Sequence, residues 1–328
     1  MSLQIAPRSR RLPLWPFLSV ALTALILASL AIGASSVSFV DLFRSGEAGS
    51  LLLVSRIPRT LAALLAGASL AVAGIIMQTF VRNRFVEPGT TGTAECAALG
   101  ILATTLFVPA APLFLKMVVS SGTALAGAAV FMMLVRKLPP TQPLLVPLTG
   151  LIYGATIFAA TEFVAYEYDL LQYLSVWMAA EFSGVMQGRY ELLWVSGAVA
   201  VLAYFFADRF TIAGFGQETA IGLGLNYRQV LIIGLCIVAL ITSFTIITVG
   251  MIPFVGLVVP NIVSRYRGDN ARETLPLIAL LGGALVLASD LIGRLINYPY
   301  EIPVGVVFGV LGTVVFLWFL FAKPARNG

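Results

Sequence analysis

The chain contains no histidine, only three lysines and two cysteines, and few charges of either sign: Asp, Glu, Lys and Arg make up 11% of 328 residues. Each shortage excludes something. Without histidine, the commonest general base and the commonest metal ligand are both gone. Cys96 and Cys236 lie in apolar segments far apart, so neither a disulfide framework nor a metal site is indicated. Lys116, Lys137 and Lys323 each follow a residue other than glycine, so there is no phosphate-binding loop. If the protein works with ATP, another chain must bind the nucleotide. No cofactor motif is present.

What remains is apolar. The chain is 59% hydrophobic, with a mean hydropathy of +0.97, whereas a soluble domain carries about 25% charged residues. The expected class is all-α: a polytopic membrane protein forming one transmembrane domain over 1–328. The weak alternation of an outer-membrane barrel is missing. The net charge of +5 reads as membrane orientation rather than nucleic-acid affinity, because the basic residues fall between apolar runs. No small-residue cleavage site precedes a soluble domain, so the first apolar run reads as an uncleaved span.

Apolar runs and their breakers predict about ten spans, at 13–33, 59–80, 93–109, 113–135, 143–166, 191–207, 227–249, 253–266, 275–297 and 302–322. The eighth is short and carries Pro253 and Pro260, which is tolerable only if protein or a cavity surrounds it. With a cytoplasmic tail at 1–12, most of the 20 Lys and Arg residues fall on inside segments. Arg44, Arg56, Arg59, Lys116 and Arg189 fall outside, and Arg294 within a span. This bias expects both termini in the cytoplasm.

The stretch from Arg56 to Glu95 is the most informative. Arg56 and Arg59 flank Ile-Pro, and an uncharged run from Leu61 to Met77 follows. Ala63, Gly67, Ala71 and Gly74 recur at helical spacing, a face that lets another helix approach closely, with Gln78 on the same face. Arg82 and Arg84 close the run, as interface markers or as functional cations, before a Pro88-Gly89 turn.

Two connections stand out. Residues 167–190 are too polar to span, yet Leu171, Leu174, Trp177 and Met178 keep helical spacing. That predicts a short amphipathic helix, either at an outer mouth or as an ordinary interfacial loop. The cytoplasmic loop 208–228 holds a turn or two of helix from Gln217, closed by Gly222 and Gly224, and is too apolar for a disordered linker. Within the spans, Asp290 and Arg294 share a helix face and can neutralise each other, with Arg294 near enough to the outer end to snorkel. Glu162 and Glu95 lie near span ends. No chain of carboxylates suits a proton or sodium relay, which disfavours an ion-coupled secondary transporter. A non-transporting scaffold is the other rival.

Two ordered blocks resemble a known family. Arg56-Ile-Pro-Arg59-Thr60, Ala73-Gly74-Ile75-Ile76-Met77-Gln78, Asn83, Glu87-Pro88-Gly89 and Gly92 form the first. Phe254-Val255-Gly256-Leu257-Val258-Val259-Pro260-Asn261, Leu275-Pro276, Asp290, Arg294 and Glu301-Ile302-Pro303-Val304-Gly305 form the second. Together they are similar to the FecCD permeases, the membrane subunits of bacterial ABC importers for iron-siderophores, haem and cobalamin. Asn261, Arg265 to Asn270 and Tyr298 to Glu301 look like the catecholate-siderophore branch and count against cobalamin. The resemblance implies an inner-membrane permease, as a homodimer or a paralogous heterodimer, with two cytoplasmic ATP-binding subunits. It also implies a periplasmic or lipid-anchored siderophore-binding protein outside. By the same resemblance Arg56, Arg59 and Arg294 meet that protein's glutamates, and Gln217, Glu218, Thr219, Ala220, Gly222 and Gly224 couple to the ATPase. Gln78, Glu162, Trp177 and Met178 are expected along the translocation pathway, beside span five and the loop helix at 170–187.

Overall fold

The structure, a computed structural model, describes residues 14–32, 52–139, 142, 145–298 and 300–321; the N-terminal tail, Arg44, Lys323 and Arg326 lie outside them. Every regular element among the described residues is helical. The order is α1 (Leu14–Ala31), α2 (Ile57–Val81), α3 (Thr93–Phe107), α4 (Leu113–Val135), α5 (Leu145–Glu167), α6 (Leu171–Met178), α7 (Leu192–Phe205), α8 (Ala207–Gly214), α9 (Gln217–Gly222), α10 (Tyr227–Val249), α11 (Val255–Arg267), α12 (Ala271–Ile296) and α13 (Val304–Phe321). Among the described residues, five segments are long and apolar enough to cross a membrane: Leu52–Val81, Leu113–Val135, Leu145–Glu167, Tyr227–Val249 and Ala271–Ile296. A sixth exists if α7 and α8, bent by 65° at Phe206, form one span.

Helix α2 is the axis, packing on α12, α11, α10 and α7. Its small-residue face works as its spacing predicts. A Cβ on Gly67 would lie 2.4 Å from the Gly282 carbonyl oxygen of α12, and one on Gly74 would lie 2.1 Å from that of Gly256 in α11. Backbones this close maximise dispersion contacts in a medium that gives helices no hydrophobic reason to associate.

Four boundaries differ from the sequence reading. A single π-helical turn, Leu52–Arg56, runs straight into α2, so one 30-residue segment takes in Arg56, expected before the span, and Arg59, expected at its first residue. Helix α12 starts four residues early because the Asn270 side chain accepts from the Arg272 backbone N–H at 3.1 Å and caps it. The sixth apolar run bends into α8, whose Phe210 packs edge-on against Phe80 of α2 at 5.6 Å between ring centres. The loop helix expected over 170–187 is helical only at Leu171–Met178.

Candidate functional site

The bundle carries distinct chemistry at its two ends. At one, α2, α12 and the C-terminus of α1 converge on three arginines. Arg59 Nη2 lies 2.8 Å from Asp290 Oδ1 and its Nη1 lies 2.8 Å from Glu301 Oε2. Asp290 also pairs with Arg294, one turn further along α12. Arg56 Nη1 donates to the carbonyls of Leu30 (2.8 Å) and Ala31 (3.0 Å). Arg294 Nη1 donates to those of Ser29 (3.2 Å) and Ile32 (3.0 Å). Ser29, Leu30 and Ala31 supply the terminal carbonyls of α1, which have no partners within their helix and carry its negative dipole end, and Ile32 follows directly after it.

This geometry changes the picture of the arginines. Arg56 and Arg294 are each 5% exposed, and the Arg59 side chain 13%. Arg294 does not snorkel outward; the end of α1 supplies acceptors where open solvent was expected. The paired Asp290 and Arg294 do share a face, and Arg59 joins them from α2.

At the opposite end, α8 and α9 form a hook. Gly216 breaks the chain between them, and Ala220 is fully buried while Gln217, Glu218, Thr219, Gly222 and Gly224 are exposed. Gly224, at φ +80°, ends the hook, with Leu225 N donating to Ala220 O at 2.9 Å. Ile221 and Leu223 stand out, 55% and 63% exposed. Beside the hook, a cavity of about 760 Å³ lies between Gln78, Arg82, Arg84, Asp208, Phe215 and Asp269.

The residues expected along a pathway do not converge. Gln78 is buried between α2 and α11, its Nε2 donating to Gly256 O at 3.0 Å. Glu162 is exposed on α5. Trp177 and Met178 are half-buried and anchor α6 onto apolar residues of α3, α5 and α10, with Lys116 Nζ 5.9 Å from the Trp177 ring centre. Among the described residues, no group of three or more Cys, Asp or Glu side chains is placed to hold a metal ion.

Sequence reasoning missed the role of Glu87. This carboxylate is 4% exposed, yet neither oxygen is idle. Oε1 accepts from Phe254 N at 2.9 Å and Oε2 from Leu257 N at 3.1 Å, which caps α11 from 167 residues away. The available signal was negative: Phe254, the residue before α11, has no side chain able to cap a helix.

A model of the FecCD transport family matches residues 21–322. The petrobactin import system permease protein YclN of Bacillus subtilis (strain 168) is 44% identical over 310 residues, covering 94% of this chain and 98% of the relative. The ferric-anguibactin transport system permease protein FatD of Vibrio anguillarum is 38% identical over 302 residues, covering 92% and 96%. A solved structure of a metal-chelate type ABC transporter in an inward-facing conformation superposes with a TM-score of 0.77 at 21% identity, over 94% of this chain and 98% of that one, a likeness of fold. With a family model spanning nearly its whole length and relatives this similar end to end, the chain belongs to the FecCD transport family.

Proposed function

We propose that this chain is the membrane-spanning permease subunit of an ATP-driven importer that moves a ferric siderophore across the inner membrane. The observation that carries the reading is the end-to-end similarity to permeases named for petrobactin and anguibactin import. The two-ended chemistry agrees with it. Helices α1, α2, α3, α4, α5, α7, α10, α11, α12 and α13 count as ten crossings, with both termini and the α8–α9 hook on the cytoplasmic side. There the exposed Ile221 and Leu223, beside Glu218, offer an apolar knob to a separate ATPase. The chain itself has no phosphate-binding loop.

At the outer end the siderophore-binding protein seats over Arg56, Arg59 and Arg294. Arginine's fork suits bidentate contact with a carboxylate. Here such contact must draw guanidinium groups away from Asp290, Glu301 and the end of α1, so docking and opening of this end are linked. A second permease, the same chain or a paralogue, completes the pathway.

Reconstitution tests the reading. Vesicles holding the permease, its ATPase and the binding protein should accumulate iron-loaded petrobactin only with ATP inside. Uptake without the ATPase, or uptake collapsed by an ionophore while ATP is present, overturns it.

A further inference from the structure

Residues 83–92, between α2 and α3, form a strap pinned on both sides. On one side it runs antiparallel to α11. Glu87 caps the start of that helix through Phe254 N and Leu257 N. Lower down, Asn261 Nδ2 donates to Arg84 O at 2.7 Å, and Arg84 Nη2 lies 2.7 Å from Asp269 just beyond the helix. On the other side the strap lies flat on α5. A Cβ on Gly150 would stand 2.0 Å from Thr90 O, and one on Gly92 would stand 2.5 Å from the Tyr153 ring. The main packing partners of α5 are α3, α4, α6 and this strap. The strap is therefore the direct bridge between α11 and α5.

The far end of α11 leads to the hook. At the start of α12, Ala271 N donates to Thr211 Oγ1 of α8 at 3.1 Å, and Arg272 pairs with Asp208, also of α8. A continuous series of contacts thus runs from α8, through the start of α12 and the α11–α12 turn to α11, and across Glu87 to α5, bonded as far as the strap and packed from the strap to α5. Helix α11 has 13 residues, about 20 Å, too short to cover a bilayer core of about 30 Å by itself. Its first N–H groups therefore open inside the protein, where each lacks water. A carboxylate is the strongest neutral-pH acceptor available for them.

We propose that Glu87 is a positioning residue for transport: by locking the strap to the start of α11, it makes displacement at the α8–α9 hook reach α5. The proposal rests on the ATP-driven reading above. Its test uses the complete complex in vesicles, measuring assembly, ATP hydrolysis and iron-loaded petrobactin uptake side by side. Glu87→Gln keeps the volume but sets an amide donor against an N–H group. It should assemble and hydrolyse ATP within about twofold of the parent while uptake per ATP falls on the order of tenfold. Gly150→Ala approaches the same bridge from its other side, leaving the α11 cap intact and wedging the strap off α5; it should show the same split.

Spin labels at Leu151→Cys in α5 and Tyr266→Cys in α11, both exposed, add a readout that mere folding support does not move. Their separation should change with nucleotide in the parent and stay fixed in Glu87→Gln. Parent-like uptake per ATP in either variant overturns the strap while leaving the ATP-driven reading intact. Joint loss of assembly, hydrolysis and uptake in Glu87→Gln with an unaffected Gly150→Ala also overturns it. A parent complex with no ATP-dependent uptake overturns the reading itself, and the strap falls with it.

Discussion

Asp290 neutralises two guanidinium groups at once, Arg59 from α2 and Arg294 from its own helix, while being almost fully buried. Removing it leaves two buried cations facing each other, with Glu301 as the carboxylate still within reach of Arg59. Breaking a buried pair by deleting one partner costs about 3–5 kcal/mol. Asp290→Ala should lose about that much, read as a fall in thermal midpoint of the detergent-solubilised protein. The exposed pair Arg84 with Asp269 makes the contrast. Asp269→Ala should shift the midpoint by less than about 1 kcal/mol equivalent. Equal losses in the two variants contradict the burial argument. The same logic limits what a charge reversal at Arg59 can say about docking. Arg59→Glu sets a third acid beside Asp290 and Glu301, so lost uptake counts for a docking role only if the protein still melts normally.

At the scale of elements, how much could be read in the chain depended on whether the cause was local. Helices α4 and α10 appear with the expected bounds because breakers flank long, mainly apolar runs. The close crossings of Gly67 and Gly74 were legible from spacing, since small residues at helical intervals have one main use in a membrane. The continuation of α2 back through Arg56 was not. A charge there reads as the end of a span, and the carbonyls of α1, 25 and 26 residues earlier, help make its burial tolerable. The bend at Phe206 was equally hidden, because no Pro or Gly marks it. The cap of α11 by Glu87 lies beyond any local pattern. The candidate site divides the same way. The hook was visible from its glycines and its composition, whereas the inward turn of the arginines needed the folded chain.

The hook also makes a prediction at this scale. Helix α9 is anchored by Ala220 and presents Ile221 and Leu223 outward, an arrangement that helps neither its own stability nor solubility. Apolar anchors at the centre of an interface each contribute about 2 kcal/mol or more. Ile221→Asp combined with Leu223→Asp should therefore release the ATPase subunits on co-purification, while the permease still inserts and melts as before. Retention of the ATPase at parent levels removes the hook from the docking surface.

Across the whole molecule, function turns on which end faces which compartment. The arginine end and the hook end lie at opposite termini of α2, α4, α10 and α12, so one fact fixes both. Positive residues favour the cytoplasm only when carried on short loops near span ends. The hook end satisfies this with Arg82, Arg84 and Arg136 between helices and with Arg209, Arg228, Arg265, Arg267 and Arg272 in the first or last turns that border its connections. At the other end Arg56, Arg59 and Arg294 lie inside helices and are paired there, so they add little to the orientation signal. The bias is therefore steeper in the folded chain than a plain residue count suggests. With Cys96 and Cys236 replaced by alanine, single cysteines at the exposed Thr219 and Gln172 read the outcome directly. In intact cells stripped of any outer membrane, a membrane-impermeant thiol reagent should label Gln172→Cys and spare Thr219→Cys, and inverted vesicles should exchange the two. Labelling of Thr219→Cys from outside reverses the whole protein. The ATPase would then have no cytoplasmic hook to grip, and ATP-driven import through this chain would lose its physical basis.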